Sequence, residues 1–243
     1  MDLTKKVCLV TGAGGVLGRA FCARFASTYA IAGVYHADQA GAGAVEEYFD
    51  PLDPSAAPPE PPQPAPERGD GVFALYADLT DAADLERIVD DVLARYGRID
   101  VLINGAARML HAELLDAERF VPELRAQLDV NAVAPLALAT LIARRFWSAR
   151  AAENAQHNRC LVNVSSVSSL RLHPGVPLAA YAASKAALNQ LTGYLADAFG
   201  AFSVRANALA PNTFPGVVAV EDVVEELGRL AEDDRNGELV VLG

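Results

Sequence analysis

Residues 7–18 read VCLVTGAGGVLG, an apolar run that leads directly into a cluster of glycines. The run Val7–Thr11 is continuous rather than alternating, which is typical of a strand buried on both faces of a parallel sheet. Glycines permit a tight turn and a close approach of the backbone to a pyrophosphate, and a helix starting near Gly15 would aim free N–H groups at the phosphates. A glycine cluster alone could be an ordinary turn, but between a strand and a helix it predicts a dinucleotide site.

Outward from this turn, short β-type runs alternate with longer helical patterns. Further strands are predicted at 31–35, 72–76, 101–104, 161–165, 204–210 and 239–242, and helices at 19–29, 82–96, 124–146, 180–199 and 220–230. The alternation predicts a single α/β domain over residues 1–243, with a Rossmann-like, doubly wound parallel sheet flanked by helices on both faces. Ligands of such sheets bind at the carboxyl ends of the strands, where the strand order reverses.

Residues 50–71 interrupt this pattern with eight prolines between positions 51 and 66. Such a segment can form neither a helix nor a central strand. We interpret it as an extended, polyproline-like surface loop between the second and third strands. Its P-x-x-P spacing is also compatible with a ligand of a proline-recognition domain.

Composition restricts the partners and the location. The formal net charge of −11 argues against nucleic acid or an anionic membrane as the main partner. Cys8, Cys22 and Cys160 form no C-x-x-C pair, so we expect buried apolar thiols and neither disulfides nor a metal site. The first residues, MDLTKKVCLV, do not resemble a signal peptide, and no run suggests a membrane span, so the cytoplasm is the expected location.

A second group of residues predicts proton transfer. Tyr181 and Lys185 are four residues apart at the start of a predicted helix, so their side chains share a face. A phenol has an ordinary pKa of about 10, and a fixed positive charge nearby lowers it. Ser166 ends the preceding predicted strand, where a hydroxyl can donate to a substrate carbonyl oxygen.

In this order, the motifs resemble the short-chain dehydrogenase/reductase (SDR) family, single-domain type, over nearly the whole chain. They are TGAGGVLG at 11–18, ADL at 77–79, GRIDVLINGAA at 97–107, VN at 130–131, NVSS at 163–166, YAASK at 181–185 and VRANALAPNT at 204–213.

The resemblance implies roles for the catalytic residues. Tyr181 is expected to be the general acid/base, and Lys185 is expected to lower its pKa and hold the nicotinamide ribose. Asn131 would anchor a water in a proton relay to Lys185. Ser166 would polarise the substrate carbonyl, with Ser168 as the alternative because Ser166 is about two residues farther from Tyr181 than is usual.

The resemblance also implies a set of cofactor-binding residues. They are Gly12, Gly15, Val16, Leu17 and Gly18 in the turn, His36 after the second strand, Asp78 and Leu79 at the adenine, Asn104 and Ala106 at its ribose, Tyr181 and Lys185 in the site, and Pro211, Asn212 and Thr213 near the carboxamide.

Three features depart from the single-domain pattern. Val16 stands where glycine is usual, so the turn reads TGxxGxxG, as in longer members that include epimerases and dehydratases. The usual NNAG appears as NGAA at 104–107. The pair of lid helices normally found after Pro211 is mostly missing, which implies an open site suited to a bulky or carrier-bound substrate.

The end of the second strand selects the dinucleotide. A carboxylate there binds the ribose 2′-hydroxyl of NAD, while a positive group accepts the 2′-phosphate of NADP. His36 occupies the carboxylate position and Asp38 follows it. The segment resembles those of NADP-using members, so NADP(H) is favoured over NAD(H), although His36 is also compatible with an exposed loop residue and Asp38 with binding the ribose.

These features predict an NAD(P)(H)-dependent oxidoreductase that transfers a hydride between the nicotinamide and a carbonyl or hydroxyl group of a small-molecule or carrier-bound substrate. Two alternatives remain open: a redox-neutral or dehydratase-like member, and a dinucleotide-binding sensor or scaffold without turnover. The resemblance further implies a homodimer or homotetramer assembled through the helices at 124–146 and 180–199.

Overall fold

The computed structural model of the chain describes residues 5–36 and 72–243. The predicted proline-rich loop at 50–71 and Asp38 lie outside the described residues. The described strands are β1 Val7–Thr11, β2 Ala30–His36, β3 Val72–Ala77, β4 Val101–Asn104, β5 Cys160–Val164, β6 Arg205–Pro211 and β7 Leu239–Leu242. Each predicted strand is present, with ends that differ from the prediction by at most one residue.

All of these strands pair in parallel, in the order β3-β2-β1-β4-β5-β6-β7. The order reverses between β1 and β4, so the chain winds outward from this pair in both directions. Thr11 pairs with Asn104, and Asn104 pairs with Asn163, which aligns three polar residues across the carboxyl edge. The predicted doubly wound sheet is therefore confirmed, and its switch point lies beside the glycine turn.

Helices cover both faces of the sheet. They are α1 Val16–Phe25, α2 Ala82–Tyr96, α3 Ala117–Leu128, α4 Ala134–Ile142, α5 Ala151–Gln156, α6 Ala179–Gly200 and α7 Val220–Glu232. One buried cluster joins α2, α4 and α6 to the sheet, and the other joins α1 and α7 to its opposite face. Alternate residues of β1 contribute to the two clusters, as a strand buried on both sides requires.

The prediction of one helix at 124–146 is wrong at its start. Helical structure begins at Ala117, because the Asp116 carboxylate caps the helix by accepting from the Arg119 amide, and it continues past Pro122. Two π-helical turns, Asp129–Val133 and Ala143–Trp147, interrupt the α-helical hydrogen bonding. The first helix also differs from the prediction, since α1 runs from Val16 to Phe25 rather than over 19–29.

The continuous helical segment Ala117–Trp147 is long and apolar enough, by length and composition, to cross a membrane. This differs from the expectation that no run would qualify. Leu138, Ala139 and Ile142 are fully buried in the cluster against the sheet, which is the packing of a core helix in a globular α/β domain.

The amino edge of the sheet is held by a buried ion pair. Asp100 and Arg159 have fully buried side chains, and the Arg159 Nε donates to the Asp100 carboxylate at 2.9 Å. The same carboxylate accepts from Arg98 and from the Val7 amide. Burial alone would raise the pKa of Asp100, but these hydrogen bonds together lower it. The network joins β1, β4 and β5 at the edge opposite the candidate site.

Candidate active site

The glycine turn is built by close backbone packing. Gly12 has a φ of 71°, and its carbonyl oxygen accepts from the Gly15 amide at 3.0 Å. A Cβ on Gly18 would lie 2.2 Å from that same oxygen, whereas a Cβ on Gly15 would lie 3.4 Å from it. Gly12 and Gly18 are therefore required by the fold of the turn, while Gly15 serves as the N-cap of α1.

The N-terminus of α1 offers an anion site. The first turn of the helix contains no acidic residue, and the first amides of a helix have no partner within it. Leu17 is buried, whereas the Val16 side chain is 42% exposed at the first helical position. The Arg19 guanidinium donates to the Gly14 carbonyl at 2.7 Å and so stabilises the turn from the side. The arrangement fits a pyrophosphate that approaches the backbone amides past the Val16 side chain.

A narrow crevice that is too small to enclose a water molecule lies at the switch point and is lined in part by Thr11, Leu79, Asn104 and Ala106. The Thr11 hydroxyl accepts from the amides of Gly105 and Ala106, each at 3.2 Å, and so holds the β4 loop against β1. Asn104 is buried, and its Oδ1 has no hydrogen-bond partner among the described residues. An unpartnered buried acceptor at this edge fits a ligand that binds over the crevice and carries a donor group.

Asp78 and His36 lie at the carboxyl ends of the neighbouring strands β3 and β2. The Asp78 carboxylate accepts from the backbone and the hydroxyl of Thr80, at 2.8 and 2.7 Å. These bonds lower the pKa of Asp78, and the nearby charge of His36 acts in the same direction. A charged carboxylate and an exposed imidazole are thus brought together where the adenosine of a bound dinucleotide would end.

Tyr181 and Lys185 share a face of α6, as predicted. Tyr181 is partly exposed in the first turn, and the Lys185 Nζ lies 5.8 Å from the centre of its ring. Lys185 is only 1% exposed, and Nζ donates to the Val164 carbonyl at 2.8 Å. Burial lowers the pKa of Lys185 to about 7. Ammonium and amine therefore coexist near neutral pH, and only the ammonium favours the phenolate of Tyr181.

Ser166 follows β5 and begins a short 3-10 turn, Val167–Ser169. Its hydroxyl oxygen accepts from the Ser168 amide at 3.2 Å, which orients the group and leaves its hydrogen available for donation. The Ser168 hydroxyl instead lies 3.4 Å from His173 Nε2. The two hydroxyls therefore differ in their partners: that of Ser168 faces His173, whereas that of Ser166 accepts from a backbone amide.

Asn131 is fully buried in the π-helical turn that follows α3. Its side chain bonds to both backbone groups of Arg108, accepting from the amide and donating to the carbonyl at 2.8 Å each. It also donates to the Ser184 hydroxyl at 2.9 Å. Asn131 thus joins the loop after β4 to the residue beside Lys185. The π-helical turn gave no periodicity signal in the sequence.

A buried row of polar side chains links the strand ends to α6, and of its members only Thr192 lies outside the sequence motifs. Asn104 Nδ2 donates to Asn163 Oδ1, and Asn163 Nδ2 donates to the Thr192 hydroxyl, at 2.8 Å each. Thr192 is eleven residues beyond Tyr181, a distance of about three helical turns. An alignment of polar residues in apolar strands was the available signal, but the sequence alone did not show that the three side chains meet.

Pro211 ends β6, and Asn212 and Thr213 follow it at the same edge. Asn212 N donates to the Leu242 carbonyl at 2.7 Å, and its side-chain oxygen accepts from the Thr213 amide at 2.9 Å. Residues 212–219, all within the described chain, form turns and contain no helix. The chain therefore passes directly from the end of β6 to α7.

Comparisons with known proteins identify the family of the chain. Residues 56–229 match the sequence model of a family described as enoyl-(acyl carrier protein) reductase. The short chain dehydrogenase/reductase dpchG of Colletotrichum higginsianum is 31% identical over 221 residues, which cover 88% of this chain and 71% of that protein. The chain belongs to the short-chain dehydrogenase/reductase family. The SDR resemblance drawn from the ordered motifs is thereby confirmed.

Solved structures match the fold of this SDR protein over almost its full length. A short-chain dehydrogenase/reductase from Serratia marcescens has a TM-score of 0.75 at 23% identity and covers 100% of this chain and 97% of its own. A 4-hydroxyisoleucine dehydrogenase complexed with NADH has a TM-score of 0.73 at 21% identity, with coverages of 98% and 96%. At these identities, the likeness supports the Rossmann-like sheet and helix layers.

Proposed function

We propose that this SDR protein is an NAD(P)(H)-dependent oxidoreductase that moves a hydride between the nicotinamide and a carbonyl or hydroxyl carbon. The proposal rests mainly on one observation: the residues that suit a dinucleotide and the residues that suit proton transfer lie at the same edge of the sheet. The turn at Gly12–Gly18 and the unpartnered acceptor of Asn104 support dinucleotide binding, and Ser166, Tyr181 and Lys185 lie on the neighbouring strand end and helix. Parallel strands bring their carboxyl ends to the same edge.

The chain's own residues would handle the proton and the orientation of the substrate. A bound nicotinamide supplies or accepts the hydride. In the direction of reduction, the Tyr181 phenol donates its proton to the substrate oxygen, and the Ser166 hydroxyl donates a hydrogen bond to the same oxygen as negative charge develops on it. Lys185, as the ammonium, stabilises the phenolate that remains, and Asn131 holds the loop after β4 in place beside it.

The residues that we propose to bind the cofactor lie along the same carboxyl edge of the sheet. Gly12, Gly15, Val16, Leu17 and Gly18 would surround the pyrophosphate, while Asp78, Leu79, Asn104 and Ala106 would surround the adenosine. Pro211, Asn212 and Thr213 would lie near the carboxamide. His36 supports NADP(H) over NAD(H), because an exposed imidazole can donate to a 2′-phosphate. The neighbouring Asp78 carboxylate repels a phosphate, so the preference is modest.

The substrate is proposed to be bulky or attached to a carrier. The turn at 212–219, which contains no helix and closes with a bond from the Val218 amide to the Thr213 carbonyl at 3.0 Å, supports an open site. The description of the matched family, which names an acyl carrier protein, is compatible with this class. The proposal is testable because an open site should act on carrier-bound β-ketones as well as on small free ketones.

We further propose that the protein assembles as a homodimer or homotetramer through the helices at 124–146 and 180–199. Val133 in the first of these segments is 52% exposed, and Tyr194 in the second is 67% exposed. Apolar side chains exposed on two long helices favour burial against a second copy. Light scattering of the purified chain at several concentrations measures its mass, and a monomer at all concentrations would contradict this assembly.

The test of function combines binding and turnover. NADH and NADPH are titrated separately by cofactor fluorescence, and the absorbance of the reduced cofactor is then followed with ketones, aldehydes and carrier-bound β-ketones. Saturable binding with carbonyl-dependent oxidation is expected. Binding without turnover of any carbonyl would favour a sensor or scaffold, and binding of neither dinucleotide would overturn the proposal.

A further inference from the structure

The 3-10 turn after β5 restrains Ser166 through both of its oxygens. The Ser166 carbonyl accepts from the Ser169 amide at 3.0 Å and from the Ser169 hydroxyl at 2.6 Å. The Ser166 hydroxyl accepts from the Ser168 amide at 3.2 Å. Ser169 therefore contributes two of these three bonds, and its hydroxyl makes the shortest.

Asn189, on α6, connects the 3-10 turn to this helix. Its side-chain nitrogen donates to the Ser169 hydroxyl oxygen at 2.7 Å. The single hydroxyl hydrogen of Ser169 is directed to Ser166, so toward Asn189 the Ser169 oxygen acts as the acceptor, and this fixes which way the Asn189 amide points. Asn189 is four residues after Lys185 and eight after Tyr181, so the three side chains lie on one side of the helix.

We propose that Asn189, acting through Ser169, is a positioning residue that holds the Ser166 hydroxyl in the orientation from which it donates to the substrate oxygen. The inference rests on the proposed role of Ser166. Because α6 also carries Tyr181, the link fixes the placement of the serine relative to the tyrosine, and both groups must reach the same oxygen.

The surroundings of Asn189 favour positioning over simple attachment of the helix. α6 is already joined to β5 by the bond from Lys185 to Val164 and by the bond from Asn163 to Thr192. The Asn189 Oδ1 is buried and has no hydrogen-bond partner among the described residues. An unpaired buried acceptor lowers the stability of the fold. A residue that served only to attach α6 would avoid this cost if it had no amide oxygen.

A double-mutant cycle tests the inference on the full chain loaded with the preferred dinucleotide. Asn189→Ala, Asn189→Asp and Ser169→Ala are each made alone and in the Ser166→Ala background, with Gln190→Ala, an exposed neighbour on α6, as the control. Each positioning variant alone should lower kcat about fivefold, in line with the loss of one hydrogen bond. In the Ser166→Ala background the same variants should lower kcat no further, and KM and dinucleotide Kd should stay within about twofold.

Comparison of the wild-type and Ser166→Ala backgrounds distinguishes failure of the role of Asn189 from failure of the role of Ser166. If the positioning variants lower kcat equally in both backgrounds, or not at all in the first, then Asn189 does not act through Ser166 and the inference is wrong. If Ser166→Ala itself leaves kcat unchanged, the proposed role of Ser166 fails and the inference fails with it.

Hydrogen exchange provides a second readout that does not depend on turnover. In the protein without substrate, Asn189→Ala and Ser169→Ala should each increase amide exchange in a peptide covering residues 164–172, whereas Gln190→Ala should not. Unchanged exchange in that peptide for Asn189→Ala would contradict the proposed restraint on the turn.

Discussion

The Lys185 side-chain nitrogen donates to the Val164 carbonyl oxygen at 2.8 Å, and this bond fastens the helix of the candidate acid/base to the last residue of β5. The lysine is buried at the junction of strand, helix and serine turn. Its position explains why its ionisation should affect both the stability of the fold and the chemistry of Tyr181.

Lys185 should make the stability of the protein depend on pH. Burial lowers its folded pKa to about 7 from an ordinary value of 10.5, so between these values the unfolded chain binds more protons and stability rises with pH. Lys185→Met removes this rise. The free energy of unfolding of the wild type, minus that of the variant, should increase by roughly 2 kcal/mol from about pH 7 to about pH 9.

Urea unfolding at the two pH values measures this difference, and the subtraction cancels the groups that both proteins share. A difference that stays constant or decreases with pH would show that Lys185 keeps its ordinary pKa in the folded protein.

Gly15 and Gly18 of the glycine turn should differ sharply in their tolerance of substitution by alanine. Gly18→Ala places a methyl group against the Gly12 carbonyl, which is backbone and cannot move aside, whereas Gly15→Ala makes only an ordinary contact. Gly18→Ala should weaken dinucleotide binding at least about tenfold and lower Tm, while Gly15→Ala should change binding by less than about threefold. Fluorescence titration and thermal unfolding measure both effects. Equal tolerance of the two variants would contradict the packing of the turn.

His36 should influence which dinucleotide is preferred. His36→Asp puts a carboxylate where a 2′-phosphate would lie, so it should weaken NADPH binding relative to NADH by about tenfold or more. His36→Asn, which removes the imidazole without adding a negative charge, should have a smaller effect. An unchanged ratio of the two Kd values in His36→Asp would place the 2′ group elsewhere.

The buried Asp100–Arg159 pair should be important for stability and unimportant for the chemistry. Asp100→Ala leaves Arg159 buried without this partner, so it should cost about 3–5 kcal/mol of unfolding free energy. Asp90→Ala removes a partner of Arg145 that is exposed to solvent and should cost less than about 1 kcal/mol. Similar losses for the two variants in urea unfolding would show that the Asp100 network is not the stronger one.

The sequence predicted the fold well because the fold depends on patterns that are local in the chain. The continuous apolar run at Val7–Thr11 and the glycines after it specify a buried strand and a tight turn without reference to distant residues. The long helix was harder, since Pro122 and the polar residues around it resemble a helix boundary, although the Asp116 cap starts the helix at Ala117. The π-helical turn at Asn131 has no periodicity that could reveal it.

The candidate site was only partly predictable for a related reason. Tyr181, Lys185 and Ser166 could be proposed from the sequence because each lies in a compact motif at an element end. Ser169 and Asn189 were not, because their connection joins residues 20 apart through one side-chain hydrogen bond. Contacts of this kind depend on the register of α6 against β5, which pattern and spacing do not specify.

The most direct test of the account is a single-turnover measurement of hydride transfer by the wild type and by Tyr181→Phe, each mixed with bound reduced dinucleotide and the best carbonyl substrate. Loss of the phenolic proton should slow the reaction by about 10²–10⁴-fold, while the Kd of the dinucleotide changes by less than about threefold. A Tyr181→Phe variant that oxidises the cofactor at the wild-type rate would contradict the proposed proton transfer.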